Sequence, residues 1–176
     1  MAIKNFRSTD EIRVRVFACA LNPVDAKINN WKGGIDASVE NIVGGLDVCG
    51  EVDAIGAEVT TVAVGQAVLY HGKMFQGKGG FAEYYIHDAF TTVTLDKEKL
   101  AEGGNDLKIQ LAASPCAAWT AYQGIYDQLC LPESSAANGE ASIAIIGASG
   151  GVGSFALQLA KKSRVGSSSL YFVLFV

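Results

Sequence analysis

Residues 141–160, ASIAIIGASGGVGSFALQLA, join a short apolar run, a glycine cluster and an apolar stripe at helical spacing. The run at 142–146 is too short for a free-standing helix and rich in β-branched residues, which predicts a strand buried on both faces of a parallel sheet. Glycine follows at once. Beyond it Val152, Phe155, Ala156, Leu159 and Ala160 recur at i, i+3, i+4, i+7 and i+8, the stripe of an amphipathic helix. Strand, glycine turn and helix in that order make a parallel α/β crossover. Such a crossover leaves the first helical N–H groups unpaired at the strand's carboxyl end, where the helix dipole adds partial positive charge. Anions collect there.

The turn itself reads Gly147, Ala148, Ser149, Gly150, Gly151, Val152, Gly153. Its Ala148-x-Gly150-x-x-Gly153 pattern is a relative of the dinucleotide-binding fingerprint, and these seven residues are the expected cofactor-binding turn. Gly150 and Gly151 suit the approach of a pyrophosphate to the helix N–H groups, and Gly153 suits close packing of helix on strand. Ser154 stands where a P-loop requires lysine, which excludes that alternative. The competing reading is a tight turn that binds nothing. The strand before the turn and the helix after it favour the ligand.

Composition narrows the rest. The chain has 176 residues, 49% of them hydrophobic, and a net charge of -4, so no basic patch stands out to neutralise nucleic-acid phosphates. From residue 141 onward there is no acid, whereas Lys161, Lys162 and Arg164 cluster where the helix ends and suit its negative pole. Cys19, Cys49, Cys116 and Cys130 form no Cys-x-x-Cys pair, so a structural zinc loop is not expected and reduced, cytoplasmic thiols are. The opening residues are polar, without the apolar core of a signal peptide, and the run at 170–176 is too short to cross a bilayer. No membrane association is expected.

Along the chain, Ile12, Val14 and Val16 alternate with Arg13 and Arg15 and predict a half-buried strand. Pro23 stops it, and Asp25 is placed to cap a short turn. Short β-rich pieces at 48–52, 59–64, 67–70 and 81–86, cut by glycines, predict a small barrel or sandwich. A polar, irregular stretch at 96–107 reads as a boundary between a β-rich domain at 1–107 and an α/β domain at 108–176. Residues 109–129 read as helical with Pro115 kinking or restarting the helix, 131–140 as a loop, and 170–176 as a second parallel strand.

Five pieces then line up: Asn22-Pro23-Val24-Asp25; Gly45-Leu46-Asp47-Val48-Cys49-Gly50 with Gly56 and Gly65; Gly79-Gly80-Phe81-Ala82-Glu83-Tyr84; Ala117-Ala118-Trp119-Thr120-Ala121-Tyr122; and the glycine turn. In this order the chain resembles the medium-chain dehydrogenase/reductase superfamily, closest to its zinc-free quinone oxidoreductase branch. The resemblance implies a GroES-like β-rich domain followed by a partial α/β Rossmann domain with a parallel sheet. It further implies NADPH, with NADH the alternative, as hydride donor to a quinone or other enone. Asn22 and Thr120 are placed by it beside the nicotinamide. Relatives of this kind are dimers or tetramers, so a homodimer is the expected assembly.

Zinc-dependent relatives carry a Cys ligand near the start and a His-Glu pair in the glycine-rich segment. Asn22 and Leu46 stand there instead and cannot ligate zinc. His71 and His87 are expected as surface or core imidazoles, without partners at metal spacing. The tyrosine that often follows the Asn-Pro-Val-Asp motif is replaced by Ala26 and Lys27, so the sequence names no proton donor. Relatives also begin with an extra strand pair and continue past the second Rossmann strand. The expectation is therefore a truncated product whose two alternatives to quinone reduction are an inactive interaction partner of a full-length reductase and an enoyl-thioester reductase.

Overall fold

The computed structural model describes residue 6 and residues 8–28, 42–130, 143–163 and 171–173. They divide into two compact units, Met1–Pro115 and Cys116–Val176. The expected loop at 131–140 lies outside the described residues, as do residue 170 and residues 174–176 of the last expected strand.

The first unit is built on a five-stranded antiparallel sheet in the order β4-β1-β2-β3-β5, from β1 (Glu11–Ala20), β2 (Asp47–Ile55), β3 (Ala67–His71), β4 (Tyr84–Asp88) and β5 (Val93–Thr94). Side chains alternate across a strand, and β2 shows the consequence: Val48 and Val52 enter one core while Cys49 between them enters another. The first core gathers Ile12, Val14, Val48, Val52, Val68, Tyr70 and Tyr85. Each fully buried Val or Ile in it contributes about 1.5–3 kcal/mol relative to exposure. The second core lies under α2 (Lys97–Glu102) and α3 (Gly104–Ala112), which bring Leu100, Leu107, Leu111 and Ala112 onto Cys49, Ala67, Leu69 and Phe17. Arg13 and Arg15, on the polar face of β1, reach the neighbouring strand at Asp53 (2.5 Å) and Glu51 (3.1 Å).

Three expectations for this unit are corrected. Residues 59–64 form an irregular segment rather than a strand: Val62 is buried and Val59 packs beside it, three residues apart, while Val64 is left 61% exposed. The strand expected at 81–86 begins only at Tyr84, since the Gly80 and Phe81 N–H groups donate to the Gly45 and Gly44 carbonyls instead of to a strand. The polar stretch at 96–107 is helical. Asp96 caps α2 by accepting from the Glu98 and Lys99 N–H groups, each at 3.1 Å, and these bonds lower its carboxyl pKa. α3 packs on the β core, and this compact unit ends at Pro115.

The second unit opens with α4 (Pro115–Tyr122), so Pro115 restarts a helix at its first position rather than kinking one. A single π turn, Gln123–Gln128, extends it. Then come β6 (Ala144–Ile146), α5 (Gly151–Lys162) and β7 (Tyr171–Val173), with β6 and β7 parallel in the register Ala144↔Tyr171 to Ile146↔Val173. This is the crossover the sequence predicts. β6 is covered on one face only, however: Ile145 is buried while Ile146 is 70% exposed. Tyr126 fastens the far end of α5, its hydroxyl 2.6 Å from the buried Ser163 Oγ.

His87, on β4, is an inward-facing core residue, 3% exposed and stacked on Tyr70 at 4.1 Å between centroids. Thr91 Oγ1 lies 2.9 Å from its Nε2. Burial favours the neutral ring and pulls its pKa down to about 4 from 6.5. The unfolded chain therefore binds the extra proton first. The His87 contribution to stability is constant above the ordinary histidine pKa and falls as pH drops from about 6.5 to about 4, by about 3 kcal/mol at the lower end. Thermal denaturation across that range should show the fall, and His87→Phe should flatten it. A wild-type melting temperature that stays level from pH 7 to 4.5 would contradict this account.

Candidate functional site

Each expected site residue is placed within its own unit. In the second, Gly147 leaves β6 with φ +73, a conformation that side chains resist. The Gly150 N–H donates to the Gly147 carbonyl at 3.0 Å, closing the turn, and the Ser154 N–H donates to the Gly150 carbonyl at 2.9 Å, starting the helix. Between those bonds lie the N–H groups of Gly151, Val152 and Gly153, the first turn of α5. Helix geometry gives them no intrahelical acceptor, and Gly150 at the N-cap offers no side-chain cap. Ala148 is buried under the turn, whereas Ser149, Gly150 and Gly151 are exposed.

The glycines separate into two kinds. A Cβ on Gly153 would stand 2.3 Å from the Gly147 oxygen, so the fold itself demands glycine there. A Cβ on Gly151 would meet only Ala117 Cβ at 3.5 Å, ordinary contact, in a helical conformation that alanine prefers. Packing gives no reason for its bareness. An exposed, uncapped helix end whose outer glycine has no internal reason to be glycine fits the diphosphate of a dinucleotide. Val152 belongs to this outer surface: it is 42% exposed, and the buried positions of α5 are Gly153, Ala156 and Ala160. Phe155, Ala156, Leu159 and Ala160 of the expected stripe pack into the core beside Gly153, and Val152 is the member left outside it. Thr120 is exposed on α4, three residues past Ala117 and so on the face of that helix that flanks Gly151.

In the first unit, Asn22 precedes the short helix α1 (Pro23–Lys27). Its N–H donates to Asp25 Oδ2 at 2.7 Å, and the Gly45 N–H donates to Asp25 Oδ1 at 3.2 Å. Asp25 therefore does cap the turn, and it also ties that turn to the start of the glycine-rich segment. The Asn22 amide donates from Nδ2 to Asp47 Oδ2 at 2.9 Å.

One feature of the site escapes the reading by residue type. Asp47 is 0% exposed, and its Oδ1 lies 2.5 Å from His71 Nδ1. The two are directly opposite in the antiparallel pairing of β2 with β3, where Asp47↔His71 opens a register that continues to Glu51↔Ala67. Twenty-four residues apart in sequence, they carry no motif; only the register of two strands joins them. Leu46, next to Asp47, is 5% exposed and packs as a core residue. The nearby Cys19 thiol is pushed up to about 12, by burial first and then by Asp25 and Asp47, and burial pushes Cys49 to about 11. Neither is a thiolate nucleophile at neutral pH.

An antiparallel β unit with Asp25, Asn22 and Asp47 at one end is followed in the chain by a parallel crossover that opens on bare glycines. Residues 8–97 match the alcohol dehydrogenase GroES-like domain, and the chain belongs to the medium-chain dehydrogenase/reductase family. A zinc-type alcohol dehydrogenase-like protein of Staphylococcus aureus is 31% identical over 154 residues, 87% of this chain and 42% of the relative. The 2-methylene-furan-3-one reductase of Solanum lycopersicum is 33% identical over 157 residues, 86% of this chain and 37% of the relative. Among solved structures, the quinone oxidoreductase of Pseudomonas syringae superposes with a TM-score of 0.68 at 26% identity, over 92% of this chain and 44% of that one. The chain spans less than half the length of these proteins. The expected fold, a GroES-like unit followed by a partial Rossmann unit, is the one observed. No helix among the described residues is long and apolar enough to cross a membrane.

The two kinds of glycine can be told apart by melting. Gly153→Ala should cost about 1–3 kcal/mol or more through overpacking, whereas Gly151→Ala should leave the melting temperature unchanged or raise it. Equal losses from both would show that the outer glycine is structural after all.

Proposed function

We propose that this chain carries the cofactor turn and the catalytic β unit of a zinc-independent, NADPH-dependent reductase of quinones or other conjugated enones, working in the cytoplasm. The observation that carries the reading is the helix end at Gly150–Gly151, exposed and uncapped, with Gly151 free of any packing reason for glycine. Membership of an oxidoreductase family supports it, as do a quinone oxidoreductase among the structural neighbours and a relative whose named substrate is a ring ketone conjugated to an exocyclic methylene. Bound NADPH supplies a hydride, and with it the electron pair of the reduction. The first-turn N–H groups of α5 would hold the diphosphate, and Thr120 and Asn22 would offer short polar groups to the nicotinamide or its ribose. The absence of zinc is supported by the neutral amide of Asn22 and by Leu46, a core side chain, at the positions where the resemblance places zinc ligands.

Titration with NADPH and, separately, NADH tests the reading directly. A ligand that binds only the folded state adds about 2.7 kcal/mol at 100 times its Kd, a rise of roughly 5–10 °C for a chain of this size. Gly151→Ala should lose most of that rise while keeping its own unliganded melting temperature. No stabilisation of the wild type by either nucleotide overturns the proposal. One equivalent of zinc retained through purification overturns its metal-free part.

A further inference from the structure

The reduction needs a proton as well as a hydride, and the sequence names no donor for it. We propose that His71 is that donor, held for the task by Asp47; this rests on the reductase reading above. Three observations carry it. Asp47 is fully buried, so its carboxylate is locked in place and cannot turn to solvent. It faces His71 across the β2–β3 pair and takes the ring at Nδ1, 2.5 Å away, which fixes the ring plane and makes Nε2 the nitrogen that meets a ligand. The His71 side chain retains 23% of its exposure, in contrast to His87, so a substrate can reach it. The other oxygen of the same carboxylate accepts from Asn22, the residue that the resemblance places beside the nicotinamide. One rigid carboxylate therefore sets the position of both the imidazole and the amide.

In the step itself, reduction of the enone carbon pushes the π electron pair onto the carbonyl oxygen. The Nε2–H bond of the imidazolium breaks as the new O–H bond forms. The ring is left neutral, with its Nδ1–H still donated to Asp47, and regains a proton from solvent. The enol relaxes to the ketone in water. A hydroquinone needs no such relaxation. Asp47 is a positioning residue here and takes no proton.

The test uses His71→Asn, whose amide nitrogen can replace Nδ1 as donor to Asp47 while nothing replaces Nε2. The expected result is an NADPH-induced stabilisation equal to that of the wild type, with kcat for enone reduction down by about 10²–10⁴-fold, the range for loss of a general acid. A second readout does not depend on turnover: in the ¹⁵N-histidine-labelled wild type, 4-nitrophenolate, a stable mimic of the enolate oxygen, should shift the Nε2 resonance of His71 and leave that of His87 in place. An unmoved His71 resonance overturns the proposal whether or not turnover is measurable. So does one equivalent of zinc bound by the wild type and lost in His71→Asn. Failure of the inference alone shows as intact NADPH stabilisation with an unmoved ring, whereas failure of the reductase reading shows as no NADPH stabilisation.

Discussion

A carboxylate with no exposed surface sits where β2 begins, and burying such a charge is costly unless partners are already in place. Asp47 has them from two directions: His71 from the neighbouring strand and Asn22 from the turn after β1. The consequences run outward from that point. β2 and β3 are held in the register that also packs Val48, Val68 and Tyr70 into one core. The turn at 22–25 is drawn onto the sheet, and Asp25 can then hold both the Asn22 and the Gly45 N–H. Removing one partner would cost about 1–3 kcal/mol, the usual loss when a buried polar group is deprived of a hydrogen bond. Specificity of position, rather than net stability, is what such a pair contributes.

What could be read from the sequence follows from how far each signal reaches along the chain. The crossover at 141–160 was legible because its evidence is local: apolar run, glycines and helical stripe occupy one stretch, and β6, α5 and the parallel β7 appear as expected. The same holds for β1, where Ile12 and Val14 alternate with arginines. Local signals also misled. Val59, Val62 and Val64 suggest a strand by composition, yet only Val62 is buried, since the chain there is bending back towards β3. Residues 96–107 read as an irregular boundary from their polarity, whereas Asp96, capping the Glu98 and Lys99 N–H groups, makes α2 a helix.

The site divides along the same line. Asn22, Thr120 and the glycines were named from motifs, each confined to a few consecutive residues. The Asp47–His71 pair was not, because its two members lie on separate strands and neither is unusual alone. Register would have revealed it: once Glu51 is set opposite Ala67 in an antiparallel pair, Asp47 must fall opposite His71. Two histidines with the same expected role then part company, one stacked in the core at β4 and the other poised on a carboxylate at the end of β3.

The glycines of the turn separate by what the fold asks of each. A glycine required by the fold betrays itself by a positive φ or by an atom standing where its Cβ would go, and Gly147 and Gly153 each satisfy one of these. Gly151 satisfies neither, although helix propensity alone would favour alanine by about 1 kcal/mol. On the proposed reading an elongated anion laid against the first turn of α5 accounts for that glycine, because it needs the space a methyl group would fill and the N–H groups a side chain would screen. The same logic explains Ile146, 70% exposed at the strand end beside that turn: among the described residues β6 has one helix and one partner strand, so the outward side of its alternation lies bare.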